Sequence, residues 1–309
     1  MKKIFLAVLL VLAVNVAAQQ KRTYVYAERD TALRLDVWSP EVPRSDKACV
    51  IALFGGGFVS GSRDNKYQVS VAQALTARGY TVVSPDYRLG LTDSVALKRY
   101  GRSIKGIENL FEWVIDIATE DCADAVSWVV THSGLLNINP ERIVLTGSSA
   151  GAIVMTQLDY YRCNPDISAI GGRLPQGWSP AAVVPYSGAV VCKGKPDYAL
   201  PPAPTMFMHG TKDKIVAYGQ FPKITRYAMH GADYLYKIFA KEGYPVWIMR
   251  LDGIGHEVAS YLPGSVDIFC CFVEQVFGGH VTTLDATLHD AALVPTEWTD
   301  MTVIDLYKQ

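Results

Sequence analysis

The pentapeptide GSSAG at residues 147–151 is the strongest chemical signal in the chain. It directly follows an apolar run at residues 143–145 and directly precedes a stretch of helical character. In a G-x-S-x-G pattern between a strand and a helix, the two glycines relieve crowding in a strained turn, which raises the central serine above the sheet edge. The helix N-terminus behind that serine favours developing negative charge. These features predict that Ser149 is a nucleophile, with a purely structural Gly/Ser turn as the alternative.

A serine nucleophile needs a base, and the base needs a carboxylate that orients it. His256 lies in a glycine-containing loop directly after the last apolar strand-like run, from which it can reach back over Ser149. Asp213 follows an earlier apolar run in the same way, and Asp252 is the competing acid. The other histidines after the serine are His209, His230, His280 and His289. We predict a triad of Ser149, Asp213 and His256.

A second glycine-rich segment could supply hydrogen-bond donors to an oxyanion. Gly55, Gly56 and Gly57 directly follow the apolar run at residues 49–54. Acyl transfer requires N–H donors for the tetrahedral oxyanion, and one of them belongs to the residue after the nucleophile, here Ala150. We expect the other donor to be Gly56 or Gly57, which the sequence does not separate. A phosphate-binding loop is the alternative, but no Gly-Lys-Ser/Thr follows.

The elements that must hold these residues follow from the apolar pattern. Short apolar runs, typical of strands covered on both faces, occur at residues 49–54, 81–83, 143–145, 181–184, 205–208 and 246–249. Helix-like stretches occur at residues 67–78, 123–136, 150–161, 232–242 and 266–277. Their alternation predicts an α/β fold with a mostly parallel central sheet and helices on both faces. Alternating segments at residues 23–26 and 33–38 predict an antiparallel N-terminal hairpin at one sheet edge.

The remaining segments complete one predicted domain, residues 19–309, because no repeat, low-complexity tract or linker divides the chain. Residues 89–121 and 164–180 are predicted to be long connections. We expect the first, which contains Leu110, Phe111 and Trp113, to form part of an acyl pocket. Residues 278–309 are polar and unpatterned and are expected to wrap the surface.

The first 18 residues have the pattern of a secretory signal peptide. Two lysines precede an apolar run at residues 4–14, and small residues suited to cleavage follow at residues 16–18. An uncleaved membrane anchor is the alternative, although the run is short for a bilayer span. We expect an exported protein, periplasmic or secreted, with no stable membrane insertion after cleavage.

The composition narrows the class of protein further. The 29 basic and 30 acidic residues give a net charge of −1, whereas a general nucleic-acid-binding protein carries a strong excess of basic residues. The composition therefore argues against a general nucleic-acid binder. Six cysteines in 309 residues are too few for a disulfide scaffold, and the sequence does not select among their possible pairings. No C-x-x-C or H-E-x-x-H motif occurs, and no metal or organic cofactor is expected.

The order of the motifs resembles that of the α/β-hydrolase esterases, and most of all secreted bacterial carboxylesterases of the acetyl-xylan and feruloyl esterase kind. The resemblance covers residues 50–277 and rests on the Gly-Gly-Gly segment, Asp86-Tyr87-Arg88, residues 139–143, GSSAG, His209-Gly210, Asp213 and Gly255-His256. Two positions depart from the hormone-sensitive-lipase branch. Phe54 stands where that branch usually has histidine, and Ser148 stands where it usually has aspartate.

The resemblance implies a serine esterase that removes acetyl or feruloyl groups from plant polysaccharides, with a small ester or an acylated oligosaccharide as its partner. Phe58, Tyr87 and Tyr186 are expected near the mouth of the site, where they could stack on a sugar or an aromatic acyl group. A serine peptidase of the same fold and a non-catalytic binding protein are the alternatives. The oligomeric state and the acyl preference stay open.

Overall fold

The computed structural model describes residues 20–101, 103–221 and 227–307. The predicted signal peptide, residues 1–18, lies outside these residues. Within them, no helix combines the length and apolar character that a bilayer crossing requires. The six cysteines all fall in the described ranges, and each is a free thiol.

The described residues contain a large mixed sheet and a small antiparallel one. The strands are β1 (Gln20–Glu28), β2 (Ala32–Ser39), β3 (Cys49–Leu53), β4 (Thr81–Pro85), β5 (Ile143–Ser148), β6 (Ala182–Tyr186), β7 (Ala189–Lys193), β8 (Thr205–Gly210), β9 (Gln220–Phe221), β10 (Tyr227–Gly231), β11 (Val246–Leu251) and β12 (Leu284–Leu288). The large sheet has the order β1-β2-β4-β3-β5-β6-β8-β11-β12. Its first two pairings, β1 with β2 and β2 with β4, are antiparallel, and the rest are parallel. The predicted mostly parallel sheet with an antiparallel N-terminal hairpin is confirmed.

Helices cover both faces of this sheet, as the unbroken apolar strands predict. They are α1 (Lys66–Thr76), α2 (Ser94–Tyr100), α3 (Ile104–Thr131), α4 (Ser133–Leu136), α5 (Ala150–Cys163), α6 (Ala232–Glu242), α7 (Val266–Phe277), α8 (Glu297–Asp300) and α9 (Val303–Leu306). Alternate residues of β3 point to opposite faces. Ile51 and Leu53 pack with α3 and α5, whereas Val50 and Ala52 pack with α1 and α7. Every β3 side chain is therefore buried.

Residues 89–121, predicted to be a long connection, are mostly helical. They contain α2 and the first two thirds of α3, so the helix predicted from residue 123 begins at Ile104. Leu110, Val114 and Ala118 are buried at a spacing of four residues, which places them on one face of α3. This helical period is present in the sequence and could have revealed the longer helix.

Residues 278–309 also differ from their prediction. Instead of an unpatterned surface wrap, residues 284–288 form β12, the outer strand that pairs in parallel with β11. Leu284, Ala286 and Leu288 pack against the core while Asp285 and Thr287 are exposed. The period of two is the signal that could have found this strand. The chain then continues through α8 and α9.

The small sheet has the order β7-β10-β9 and is antiparallel. It was not predicted from the sequence. Its strands come from the region between β6 and α6, and it packs beside α5. As a result, Val191 and Met229 face the N-terminal half of α3 across an apolar cleft.

Candidate active site

Ser149 occupies a strained turn between β5 and α5. Its backbone φ is +52°, a conformation that costs a non-glycine residue of the order of 1–3 kcal/mol. Both flanking glycines are sterically required. A Cβ on Gly147 would lie 2.5 Å from the backbone of Gly151, and a Cβ on Gly151 would lie 2.4 Å from the carbonyl oxygen of Phe54. The predicted turn is therefore present, and it holds the serine hydroxyl at the carboxyl end of β5.

The structure brings Ser149, His256 and Asp213 together in one hydrogen-bonded chain. His256 Nε2 lies 2.8 Å from Ser149 Oγ, and His256 Nδ1 lies 2.8 Å from Asp213 Oδ2. Asp213 follows β8, and His256 follows β11 at the start of a short 3-10 turn. These loops meet because β5, β8 and β11 are parallel and end at the same sheet edge. The arrangement can abstract the serine proton, because the carboxylate fixes the tautomer of the histidine.

The geometry distinguishes His256 and Asp213 from the other histidines and from Asp252, which the sequence offered as alternatives. Asp252 is exposed and accepts a hydrogen bond from Thr211 at 3.2 Å. His230 is buried with Nε2 2.9 Å from the carbonyl oxygen of Gly194. His280 and His289 lie beyond α7.

Asp213 is buried and firmly held as a carboxylate. Its Oδ1 accepts hydrogen bonds from the N–H groups of Ile215 and Val216, both at 3.0 Å. Burial on its own raises the pKa of Asp213, but the charge of His256 and hydrogen bonds from His209 and His256 outweigh that effect and hold the pKa well below its ordinary value. The acid is therefore ionised whenever His256 must act as a base.

His209 is a supporting residue whose contacts the sequence did not predict. Its Nε2 lies 3.0 Å from the carbonyl oxygen of Val216 and 3.3 Å from Asp213 Oδ2. The ring is fully buried at the end of β8. His209 therefore braces both the acid and the loop that carries it. Its position four residues before Asp213 was the available signal.

The Gly-Gly-Gly segment lies beside the nucleophile. A Cβ on Gly55 would lie 3.1 Å from the Ser149 Cβ. Gly56 and Gly57 both have positive φ, +130° and +60°, a conformation that suits glycine. The Ala150 N–H belongs to the first turn of α5, where amides have no partner within the helix. The glycine loop and the start of α5 therefore lie next to each other, and the geometry does not separate Gly56 from Gly57 as the second donor.

The three aromatic residues expected at the mouth lie in the core instead. Phe58 and Tyr87 are each 3% exposed and Tyr186 is fully buried. The Tyr87 hydroxyl donates to the Phe54 carbonyl oxygen at 2.9 Å, and the Tyr186 hydroxyl is 2.9 Å from Ser265 Oγ. Burial raises the pKa of both phenols. Their surfaces are occupied by protein, so substrate stacking is not available to them.

Phe54 and Ser148, the two departures from the hormone-sensitive-lipase pattern, have local packing roles. The Phe54 ring stacks on Tyr87 with 4.4 Å between ring centroids. Ser148 is buried, and a Cβ on Gly55 would lie 3.0 Å from its hydroxyl. Both side chains therefore support the base of the glycine loop.

The C-terminal segment, residues 296–307, contacts the site on two sides, which the sequence did not predict. Glu257, next to the base, accepts hydrogen bonds from Thr296 and Thr299, and the Trp298 ring lies 6.2 Å from the His256 ring. At its other end the Tyr307 hydroxyl donates to the Gly57 carbonyl oxygen at 2.8 Å. The segment therefore connects the histidine loop to the glycine loop.

Comparisons with known proteins show what this chain is similar to. A sequence model described as the Carboxylesterase family matches residues 13–160, which include the glycine loop and the nucleophile. Lipase 2 of Moraxella sp. (strain TA144) is 31% identical over 107 residues, which is 35% of this chain and 20% of that protein. Hormone-sensitive lipase of Bos taurus is 29% identical over 162 residues, covering 52% of this chain and 18% of that protein.

A third relative and the solved structures extend the comparison. Chlorogenic acid esterase of Aspergillus niger is 26% identical over 149 residues, which is 46% of this chain and 27% of that protein. Each of these three matches spans between 18% and 27% of the relative's length.

A Thermogutta terrifontis esterase 2 structure superposes with a TM-score of 0.57 at 17% identity over 85% of this chain and 96% of that one. Its propionate-bound form gives a TM-score of 0.56 at 19% identity, over 84% and 95%. The chain has the α/β-hydrolase fold.

Proposed function

We propose that this protein is a serine hydrolase of carboxylic esters. The observation that carries the proposal is the hydrogen-bonded chain from Ser149 through His256 to Asp213, with the serine in a strained turn beside a glycine loop. The carboxylesterase, lipase and esterase descriptions of the similar proteins support an ester as the substrate. The triad alone would serve an ester or an amide.

The geometry suggests the following course of reaction. His256 Nε2 takes the proton of Ser149 Oγ as the oxygen attacks the ester carbonyl carbon. The oxyanion is stabilised by the N–H of Ala150 and that of Gly56 or Gly57. His256 then protonates the leaving alcohol as the carbon–oxygen bond breaks. Water, deprotonated by the same nitrogen, releases the acid and restores Ser149.

The finer assignment is an exported enzyme that removes acetyl or feruloyl groups from plant polysaccharides. The signal-like pattern of residues 1–18 supports export to the periplasm or beyond. The Aspergillus niger relative, named for chlorogenic acid, supports a hydroxycinnamoyl ester because chlorogenic acid is one. The test is release of acetate from acetylated xylan and of ferulate from feruloylated arabinoxylan. Release of neither would contradict this assignment without affecting the esterase proposal.

The decisive experiment compares hydrolysis of p-nitrophenyl acetate by the parent, Ser149→Ala and Ser148→Ala. Loss of the nucleophile is expected to lower kcat by roughly 10⁴-fold or more. The neighbouring buried Ser148 is the matched control and should keep most of the activity, because the side-chain hydrogen bonds of His256 and Asp213 go to other residues. A fluorophosphonate should label the parent and Ser148→Ala but not Ser149→Ala.

Three results would contradict the proposal. Equal activity of the parent and Ser149→Ala would show that another residue is the nucleophile. Faster cleavage of a peptide p-nitroanilide than of the ester would favour a peptidase. A correctly folded parent that neither turns over the ester nor reacts with the fluorophosphonate would be a binding protein.

A further inference from the structure

The C-terminal segment, residues 296–307, contacts the loop of Asp213 as well as the histidine loop and the glycine loop. The backbone of Thr302 forms a parallel bridge with that of Lys214, the residue after Asp213. Lys214 Nζ also lies 3.2 Å from Asp300 Oδ1. One segment therefore touches each of the three loops that carry the proposed base, acid and second oxyanion donor.

Gly255, directly before the base, is packed closely against both the central sheet and this segment. A Cβ on Gly210, at the end of β8, would lie 2.2 Å from the Gly255 carbonyl oxygen. A Cβ on Gly255 itself would lie 2.4 Å from the Cα of Thr299. Two close contacts therefore hold the backbone that presents His256, and only one of them comes from the sheet.

Glu257, directly after the base, joins the same backbone to the segment through hydrogen bonds. Its Oε2 accepts a hydrogen bond from the Gly255 N–H at 2.9 Å. Its Oε1 accepts from the Thr296 N–H at 2.7 Å and from the hydroxyls of Thr296 and Thr299 at 2.8 and 2.5 Å. Hydrogen bonds to an ionised acceptor are roughly twice as strong as neutral ones. One carboxylate thus links the residues on both sides of His256 to the C-terminal segment.

The position of His256 must be exact for both of its hydrogen bonds to persist. Its Nε2 lies 2.8 Å from Ser149 Oγ while its Nδ1 lies 2.8 Å from Asp213 Oδ2. A misplacement of about 1 Å, caused by a change away from the reacting atoms, can lower a rate by about 100-fold. A histidine loop released from the segment would therefore keep its residues but lose much of its rate.

We propose that Glu257 is a positioning residue for His256, and that Thr296 and Thr299 act on the base through its carboxylate. The inference rests on the proposed esterase function and adds a part to its machinery. Loss of these bonds should lower kcat and leave KM unchanged, because they act on the base rather than on the substrate.

The experiment measures hydrolysis of p-nitrophenyl acetate by Glu257→Ala, Thr299→Val and the double variant. Active sites are counted by fluorophosphonate labelling carried to completion. Glu257→Ala should lower kcat per labelled site by roughly 10- to 100-fold. The nearly isosteric Thr299→Val should lower it by roughly three- to tenfold, and Thr299→Ser, which keeps the hydroxyl, should restore most of the rate. The double variant should be no slower than Glu257→Ala, because Thr299 acts through that carboxylate.

Thr119→Val is the matched control for the loss of a buried threonine hydroxyl. Thr119 is buried like Thr299, but its hydroxyl donates to the carbonyl oxygen of Ile115 within α3 at 2.7 Å. Its variant should keep the parent rate per labelled site. A loss as large as that of Thr299→Val would overturn the inference.

Counting the active sites separates positioning from folding. Fewer labelled sites with an unchanged rate per site, in both Glu257→Ala and Thr299→Val, would show a purely structural role and overturn the inference. If Glu257→Ala does not fold, equal rates per site in the parent, Thr299→Val and Thr299→Ser would overturn it. Losses that multiply in the double variant would overturn the route through Glu257. The esterase proposal survives each of these results and fails only if the parent shows no turnover that depends on Ser149, in which case this inference fails with it.

Discussion

Replacement of Asp213 by asparagine tests the hydrogen-bonded chain at its buried end. The carboxylate uses Oδ1 for two backbone N–H groups and Oδ2 for His256 Nδ1. An asparagine that keeps the two backbone bonds through its oxygen presents its NH₂ group to Nδ1. That nitrogen must then accept, so the ring proton moves to Nε2 and faces Ser149 Oγ. In this tautomer the histidine cannot remove the serine proton.

The expected loss of kcat for Asp213→Asn is about 10⁴-fold, the size that a wrong histidine tautomer causes in a serine triad. At about 1.4 kcal/mol per factor of ten, this corresponds to roughly 5.5 kcal/mol of transition-state stabilisation. KM should change little, because the Asp213 side chain is buried against His256 and two backbone N–H groups.

The assay is steady-state hydrolysis of p-nitrophenyl acetate by the parent, Asp213→Asn and Asp252→Asn, with the unfolding temperature measured for each. Asp252 is the matched control, since it is the competing acid in the sequence but is exposed and contacts only Thr211 through its side chain among the described residues. Its variant should stay within twofold of the parent. More than a tenth of the parent kcat in folded Asp213→Asn, or a comparable loss in Asp252→Asn, would refute the assignment of the acid.

Two further predictions concern the C-terminal segment. Tyr307→Phe keeps the aromatic ring but removes the hydrogen bond to Gly57, so kcat on p-nitrophenyl acetate should fall by about two- to tenfold with KM unchanged. An equal change in kcat and KM would contradict a positioning role. The second prediction is that Glu257 contributes to the stability of the protein in a way that depends on pH. Although burial opposes it, hydrogen bonds from Thr299 and Thr296 hold the pKa of Glu257 below its ordinary value. Its stabilising effect is thus present above about pH 4.3 and is lost as pH falls through the lowered pKa. The difference in unfolding temperature between the parent and Glu257→Gln should therefore shrink from pH 6 to pH 3, and a constant difference would contradict the link.

Several features of the site were predictable because they depend on local sequence. A strand, a turn with two obligatory glycines and a helix are encoded within about twenty consecutive residues, so the strained turn at Ser149 could be predicted without tertiary information. The central strands were likewise visible, because burial on both faces leaves an unbroken apolar run. His256 and Asp213 were predictable in part, since each follows such a run.

Other features of the fold and the site were less evident in the sequence. The sequence pattern could have shown the full length of α3 and the strand β12, because each has a regular apolar period. The three aromatic residues expected at the mouth could not be placed from composition, because a tyrosine near a strand end can face the core or the solvent. In the structure Tyr87 packs against Phe54 and Tyr186 contacts Ser265, so both tyrosine rings lie in the protein core.

By itself the sequence predicted the fold class, the candidate nucleophile and the order of the candidate triad, because strand period and turn sterics are local properties. Only the tertiary structure showed that Asp213 rather than Asp252 meets His256, that His209 braces this acid, and that residues 296–307 contact both the histidine loop and the glycine loop. These depend on which distant residues meet: Tyr307 reaches Gly57 across 250 positions of the chain. Such a contact imposes no periodicity on either segment, so it becomes apparent only when the sheet brings the two loops together.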